Sequence, residues 1–150
     1  MSRVILLDSG PLGLATNPKP SPRNNACNQW VEMLVSGGDR VLVPEISDYE
    51  VRRELLRAGK IRGIVNLNEF KRRLGYLPIT TSVMLKAAEF WAQTRRMGKQ
   101  TAGNAALDGD VILAAQAAIL LAAGHSVIVA TTNVKHLDLF VDAQLWSDVT

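Results

Sequence analysis

The sequence predicts an α/β fold in which a central parallel sheet is covered by helices on both faces. Short, wholly apolar runs recur as Val4-Ile5-Leu6-Leu7, Val41-Leu42-Val43 and Val127-Ile128-Val129-Ala130. They lack the polar alternation of a half-exposed strand and read as strands buried on both faces. Segments with helical spacing lie between them, and glycine stops most of these segments. The chain has 150 residues, 47% of them hydrophobic and 21% charged. It therefore reads as a single domain, 1–150, large enough to bury a core without staples.

The elements follow in order. The first strand, residues 4–7, ends at Asp8-Ser9-Gly10-Pro11, a turn signal. Three prolines in five positions make 16–22 a loop. Residues 25–35 have helical spacing, with Trp30, Met33 and Leu34 on the apolar side, and Gly37-Gly38 stops them. Residues 41–43 form a second strand closed by Pro44. A helix over 46–58 carries the stripe Val51, Leu55 and Ala58 and stops at Gly59. A shorter helix over 64–74 leads to a brief strand at 77–79. Thr80-Thr81 introduces a long helix over 82–97, and a polar stretch, 99–104, follows Gly98. A helix over 108–123 stops at Gly124 and feeds the strand at 127–130. A short helix at 136–141 and a last strand at 144–146 close the chain.

Composition narrows the function classes. Cys27 is the only cysteine, so no internal disulfide can form and a secreted disulfide scaffold is excluded. No basic n-region precedes a long apolar stretch. The one segment of membrane length, 114–130, is interrupted by Gln116 and by Gly124-His125-Ser126. These features predict a soluble, cytoplasmic protein with no membrane partner. The net charge of +3 conceals +9 across residues 52–99 against −2 before and −4 after. A basic middle third points to a polyanion such as RNA, although solvated helix faces would give the same composition.

In parallel sheets the ligand site lies at the carboxyl ends of the strands. Asp8 stands directly at the end of the first strand, and Glu50 lies on the helix after the second. Asp108 and Asp110 open the helix that feeds the fourth strand, and Thr131-Thr132-Asn133 follows that strand. All four segments can converge on one rim. Clustered carboxylates raise one another's pKa, so a compensating cation is expected. Oxygen-only ligands, with no His or Cys cluster, suit a hard ion, Mg²⁺ or Mn²⁺. Such ions can activate a water and stabilise the leaving oxygen of a phosphodiester. Taken singly, each residue has a structural use. Asp108 can cap its helix, Asp110 suits a first turn, Asp8 and Asn133 suit turns, and Glu50 can pair with Arg53. Arg53 and Arg57, three and seven residues after Glu50, share its helix face and could hold phosphates there.

The order of these motifs resembles that of PIN-domain proteins, the family that includes VapC-type toxin ribonucleases. The resemblance rests on four motifs across residues 4–140. They are Val4-Ile5-Leu6-Leu7-Asp8-Ser9, Tyr49-Glu50-Val51-Arg52-Arg53-Glu54-Leu55, Asp110-Val111-Ile112-Leu113-Ala114-Ala115 and Thr131-Thr132-Asn133. The resemblance implies a three-layer α/β/α fold with a mainly parallel sheet of four to five strands. It also implies a Mg²⁺- or Mn²⁺-dependent endoribonuclease with Asp8, Glu50 and Asp110 as the acidic triad. Asp108 is then an extra ligand, Asn133 a neutral fourth catalytic position, and Thr131, Arg53 and Arg57 substrate contacts. A cognate antitoxin and a homodimer are the partners the family implies. The rival reading is a non-catalytic PIN-fold module for RNA binding or protein assembly, which Asn133 in place of an acid leaves open. Other α/β enzymes lack their signatures here. A haloacid-type phosphatase needs an acid where Gly10 stands, and a receiver domain needs an acceptor aspartate after its third strand. Gly10-Pro11-Leu12-Gly13 does not supply a dinucleotide GxGxxG, and no nucleophile elbow is present.

Overall fold

The computed structural model describes residues 2–98, 104–135 and 137–150. In chain order the elements are β1 (Val4–Leu7), α1 (Ser9–Thr16), α2 (Pro22–Ser36), β2 (Arg40–Pro44), α3 (Glu45–Arg57), α4 (Ile61–Leu74), β3 (Tyr76–Leu77), α5 (Thr81–Arg96), α6 (Asn104–Ala122), β4 (Val127–Thr131) and β5 (Ala143–Leu145). Single 3₁₀ turns occupy Leu137–Leu139 and Trp146–Asp148. The five strands form one sheet in the order β3-β2-β1-β4-β5, every pair parallel.

Strand β1 lies at the centre, and its side chains alternate between two cores. Val4 and Leu6 face one cluster with Val83, Phe90, Val111 and Leu113, contributed by α5 and α6. Ile5 and Leu7 face the other, with Leu12, Val31, Leu34 and Leu67 from α1, α2 and α4. All four β1 residues are buried, which is why the run reads as continuously apolar. Leu6 is fully buried, so Leu6→Ala should cost about 2–5 kcal/mol by emptying space beneath α6. Chemical denaturation of the two proteins measures this directly.

Several expectations need correction; among them, the helix expected over 64–74 begins at Ile61, and the short helix expected at 136–141 is a 3₁₀ turn over Leu137–Leu139. The segment after Asp8 is helix α1 rather than a turn, because Asp8 caps it and Pro11 falls in its first turn, where no N–H is missed. The helix before β4 begins at Asn104, not at 108, so Asp108 and Asp110 lie in its second turn and Asp108 is not its cap. Helix α2 starts three residues early, at Pro22, because Ser21 Oγ accepts from Asn24 N–H at 3.0 Å. The polar stretch expected at 99–104 lies outside the described residues except for Asn104, as does His136. Among the described residues, no helix is long and apolar enough to cross a membrane.

Candidate active site

The strand order reverses between β1 and β4, and the crevice at such a reversal is where parallel sheets take ligands. Asp8 stands at this crevice with both carboxylate oxygens engaged. Oδ1 accepts from the Ser9 backbone N–H at 2.7 Å, capping α1. Oδ2 accepts from the Thr131 hydroxyl, also at 2.7 Å. Thr131 is the buried last residue of β4, so this bond joins the two sides of the crevice. Its Oγ1 also accepts from the Asn133 N–H at 3.0 Å, which fixes the loop beyond the strand. Thr131, expected to touch substrate, here donates its hydroxyl hydrogen to Asp8.

Glu50 and Asp110 reach the same edge from α3 and α6. Burial, and after it the charge of Asp8, pushes the Glu50 carboxyl up to about 7; Arg53 opposes the shift and Asp110 adds to it. Burial, followed by Asp8, pushes Asp110 up to about 6, with Lys135 opposing. The three acids thus feel one another, and two of them hold protons far more readily than free carboxylates. Asp108 is exposed.

Two glycines make the convergence sterically feasible. A Cβ on Gly109 would lie 2.6 Å from Glu50 Oε2, so the glycine lets α6 pass this carboxylate without displacing it. A Cβ on Gly10 would strike the Thr132 side chain, so α1 and the loop after β4 also need glycine at their approach. Neither glycine was singled out by the sequence for this role. Gly109, flanked by Asp108 and Asp110 within a helix, was the available signal, because a helix-interior glycine costs about 1 kcal/mol and calls for a packing reason.

The remaining expected residues spread outward. The Arg53 guanidinium is 4.0 Å from Glu50 Oε2 and lies over the Tyr49 ring at 5.1 Å. Arg57 bonds Glu54 at 2.9 Å. Asn133 is exposed. Lys135, which opposes the shift at Asp110, turns the same loop with φ 40, the left-handed region.

Carboxylate oxygens of this kind suit a hard divalent ion, and their mutual repulsion is what such an ion relieves. Among the described residues, no three acid, His or Cys side chains are close enough to share an ion as they stand.

The sheet order, the two helical layers and the acids at the β1–β4 crevice define a three-layer α/β/α protein with the PIN-domain fold. No family model and no curated protein matches the sequence. Solved structures do match. VapBC2 from Rickettsia felis, bound to a DNA fragment from its promoter, is similar with a TM-score of 0.72 and 17% identity, covering 95% of this chain and 98% of that one. FitAcB from Neisseria gonorrhoeae gives 0.70 and 21%, covering 97% and 99%. VapBC-1 from nontypeable Haemophilus influenzae gives 0.68 and 18%, again over 97% and 99%. At these identities the similarity is one of fold.

Thr131 offers a graded test of the site. Thr131→Val keeps the shape but removes the hydroxyl that holds Asp8, so activity or metal affinity should fall about 10–100-fold, the usual cost of an outer-shell partner. Titration of Mn²⁺ into both proteins, with unfolding curves as control, separates this from a loss of fold.

Proposed function

We propose that the chain is a divalent-metal-dependent ribonuclease that cleaves RNA phosphodiesters as the toxin of a toxin–antitoxin pair. The observation that carries this reading is the convergence of the three acids on one rim: Asp8 is held by Ser9 and Thr131 at the end of β1, and Gly109, the neighbour of Asp110 on α6, lies against the Glu50 carboxylate. In this reading Asp8, Glu50 and Asp110 hold Mg²⁺ or Mn²⁺, which when bound supplies an activated water and charge stabilisation at the phosphate. Asp8 contributes a ligand whose orientation is set before substrate arrives, by Ser9 and Thr131. Asn133 can orient water without adding charge, and Asp108 is at most an outer contributor. Lys135 offsets the negative charge beside Asp110. The partner assignment is supported by the similar structures, which are VapBC and FitAcB complexes.

Incubation of purified protein with a long RNA, with and without Mn²⁺ and chelator, tests the reaction. Metal-dependent fragments that vanish in the Asp8→Asn protein support it. Co-expression with the product of a small gene directly upstream tests the pairing, since suppression of growth arrest is then expected. RNA binding without cleavage at any metal concentration would instead favour the non-catalytic module.

A further inference from the structure

Beyond Thr131 the chain leaves β4 through a loop whose backbone is tied at two points. Thr131 Oγ1 accepts from the Asn133 N–H at 3.0 Å while its hydroxyl donates to Asp8. The Leu137 N–H then donates to Val134 O, also at 3.0 Å, and closes a turn over 134–137 with Lys135 in its second position. The backbone there has φ 40, and among the described residues Lys135 is the one non-glycine residue with a positive φ. Such positions ordinarily carry glycine, asparagine or aspartate, because other side chains crowd their own backbone. No local contact of its side chain offsets this strain. Lys135 is exposed, and among the described residues no carboxylate lies within ion-pair distance of it. Its charge nevertheless reaches Asp110, where it opposes the upward shift that burial and Asp8 cause. The ammonium thus stands near the acidic rim without being held by it.

Backbone strain persists beside a site where the strained residue serves that site. We propose that Lys135 touches the substrate, its ammonium donating to a non-bridging oxygen of the RNA phosphate that lies against the rim of Asp8, Glu50 and Asp110. A phosphate approaching three carboxylates meets repulsion, and an uncommitted cation on the same rim is placed to offset it through a charge-assisted hydrogen bond. The tie from Asn133 to Thr131, and from Thr131 to Asp8, fixes the start of the loop against the first acid, so this cation is positioned before substrate arrives. Arg53 comes from the other side of β1, on the helix after β2, but it is already engaged, 4.0 Å from Glu50 Oε2 and over the Tyr49 ring. The inference deepens the ribonuclease reading and rests on it for the identity of the phosphate.

Two substitutions separate the side chain from the backbone. Asparagine tolerates a positive φ and removes the charge, whereas arginine keeps both the charge and the strain. Lys135→Asn should melt at or above the parent's temperature, yet its kcat/KM on a labelled RNA with Mn²⁺ should fall about 10–100-fold, the usual cost of losing a hydrogen bond to a charged group. Lys135→Arg should stay within a few-fold of the parent. Calorimetric titration should show Lys135→Asn binding Mn²⁺ at least as tightly as the parent, because a positive neighbour opposes a cation. Binding is read separately by fluorescence anisotropy of the same RNA across a salt series, in EDTA and in the Asp8→Asn background, where repulsion at the rim is reduced. Adding Lys135→Asn there should lower the log–log salt slope by about 0.7, one single-strand phosphate no longer neutralised. Adding Arg40→Gln, at the amino-terminal edge of the sheet, should leave the slope unchanged. The inference is overturned if Lys135→Asn cleaves as the parent does, if Lys135→Arg is equally impaired, if Lys135→Asn loses its Mn²⁺ affinity, or if its salt slope matches that of Arg40→Gln. A parent that cleaves equally well with Lys135→Asn keeps the nuclease and loses this contact. A parent that cleaves no RNA loses the nuclease, and the salt slope then decides whether Lys135 holds a phosphate.

Discussion

Asp8→Asn should abolish metal-dependent RNA cleavage, with a loss exceeding the ~10–100-fold that removing an outer-shell partner causes. Asparagine keeps the shape of Asp8 and can still cap α1, since its side-chain oxygen also accepts from a backbone N–H. What it removes is the one charge that acts on both Glu50 and Asp110. The fold should therefore not weaken. With less repulsion in the metal-free site, the melting temperature at neutral pH should be equal to or above the parent's. This combination, lost chemistry with retained or improved stability, separates a functional acid from a turn-forming one. As a turn former alone, Asp8 would tolerate asparagine with its activity intact. Parental cleavage by Asp8→Asn protein of equal purity would remove the ribonuclease reading.

The fold was legible in the sequence wherever a strand is buried on both faces. Val4–Leu7, Val41-Leu42-Val43 and Val127–Ala130 each stand as continuous apolar runs, and each is a central strand. The edge strands β3 and β5 were placed only approximately, because two or three pairing residues leave no periodicity to read. Helix α1 was hidden because Asp8-Ser9-Gly10-Pro11 reads equally as a turn and as a cap with proline at a tolerated position. Asp8, Glu50 and Asp110 stand out in the sequence because each lies at an element boundary or on the face that follows a strand. The roles of their neighbours were not accessible in the same way. That Thr131 bonds Asp8 depends on the parallel register that sets Leu7 opposite Ala130 and so brings the next residues together. That Arg57 turns to Glu54 and not to Glu50 is a choice of rotamer between two acids on one helix.

The metal-free and metal-bound proteins should respond to pH in opposite directions. Glu50 rises from 4.5 to about 7 and Asp110 from 3.8 to about 6 on folding. A carboxyl whose pKa is raised in the folded state favours folding while it is protonated in the native protein. That contribution is fully present below about pH 4 and is lost as pH rises through 6 and then 7. Considering these two groups, the metal-free protein should therefore melt at a lower temperature at pH 8 than at pH 5.5. Metal binding runs the other way, because an ion needs both carboxylates deprotonated and must displace whatever protons they hold. Below pH 6 up to two protons leave per ion bound, so affinity should climb by up to about a hundredfold per pH unit. Between 6 and 7 the dependence should fall to about tenfold per unit, and above 7 it should flatten. Calorimetric titration of Mn²⁺ at pH 6 in two buffers of different ionisation enthalpy counts those protons directly. Glu50→Gln removes the higher of the two groups, so it should reduce the proton release by about one and remove most of the fall in stability between pH 6 and 8 that the parent shows. Proton release that is zero at pH 6, or unchanged in Glu50→Gln, would mean that the ion does not bind at these carboxylates.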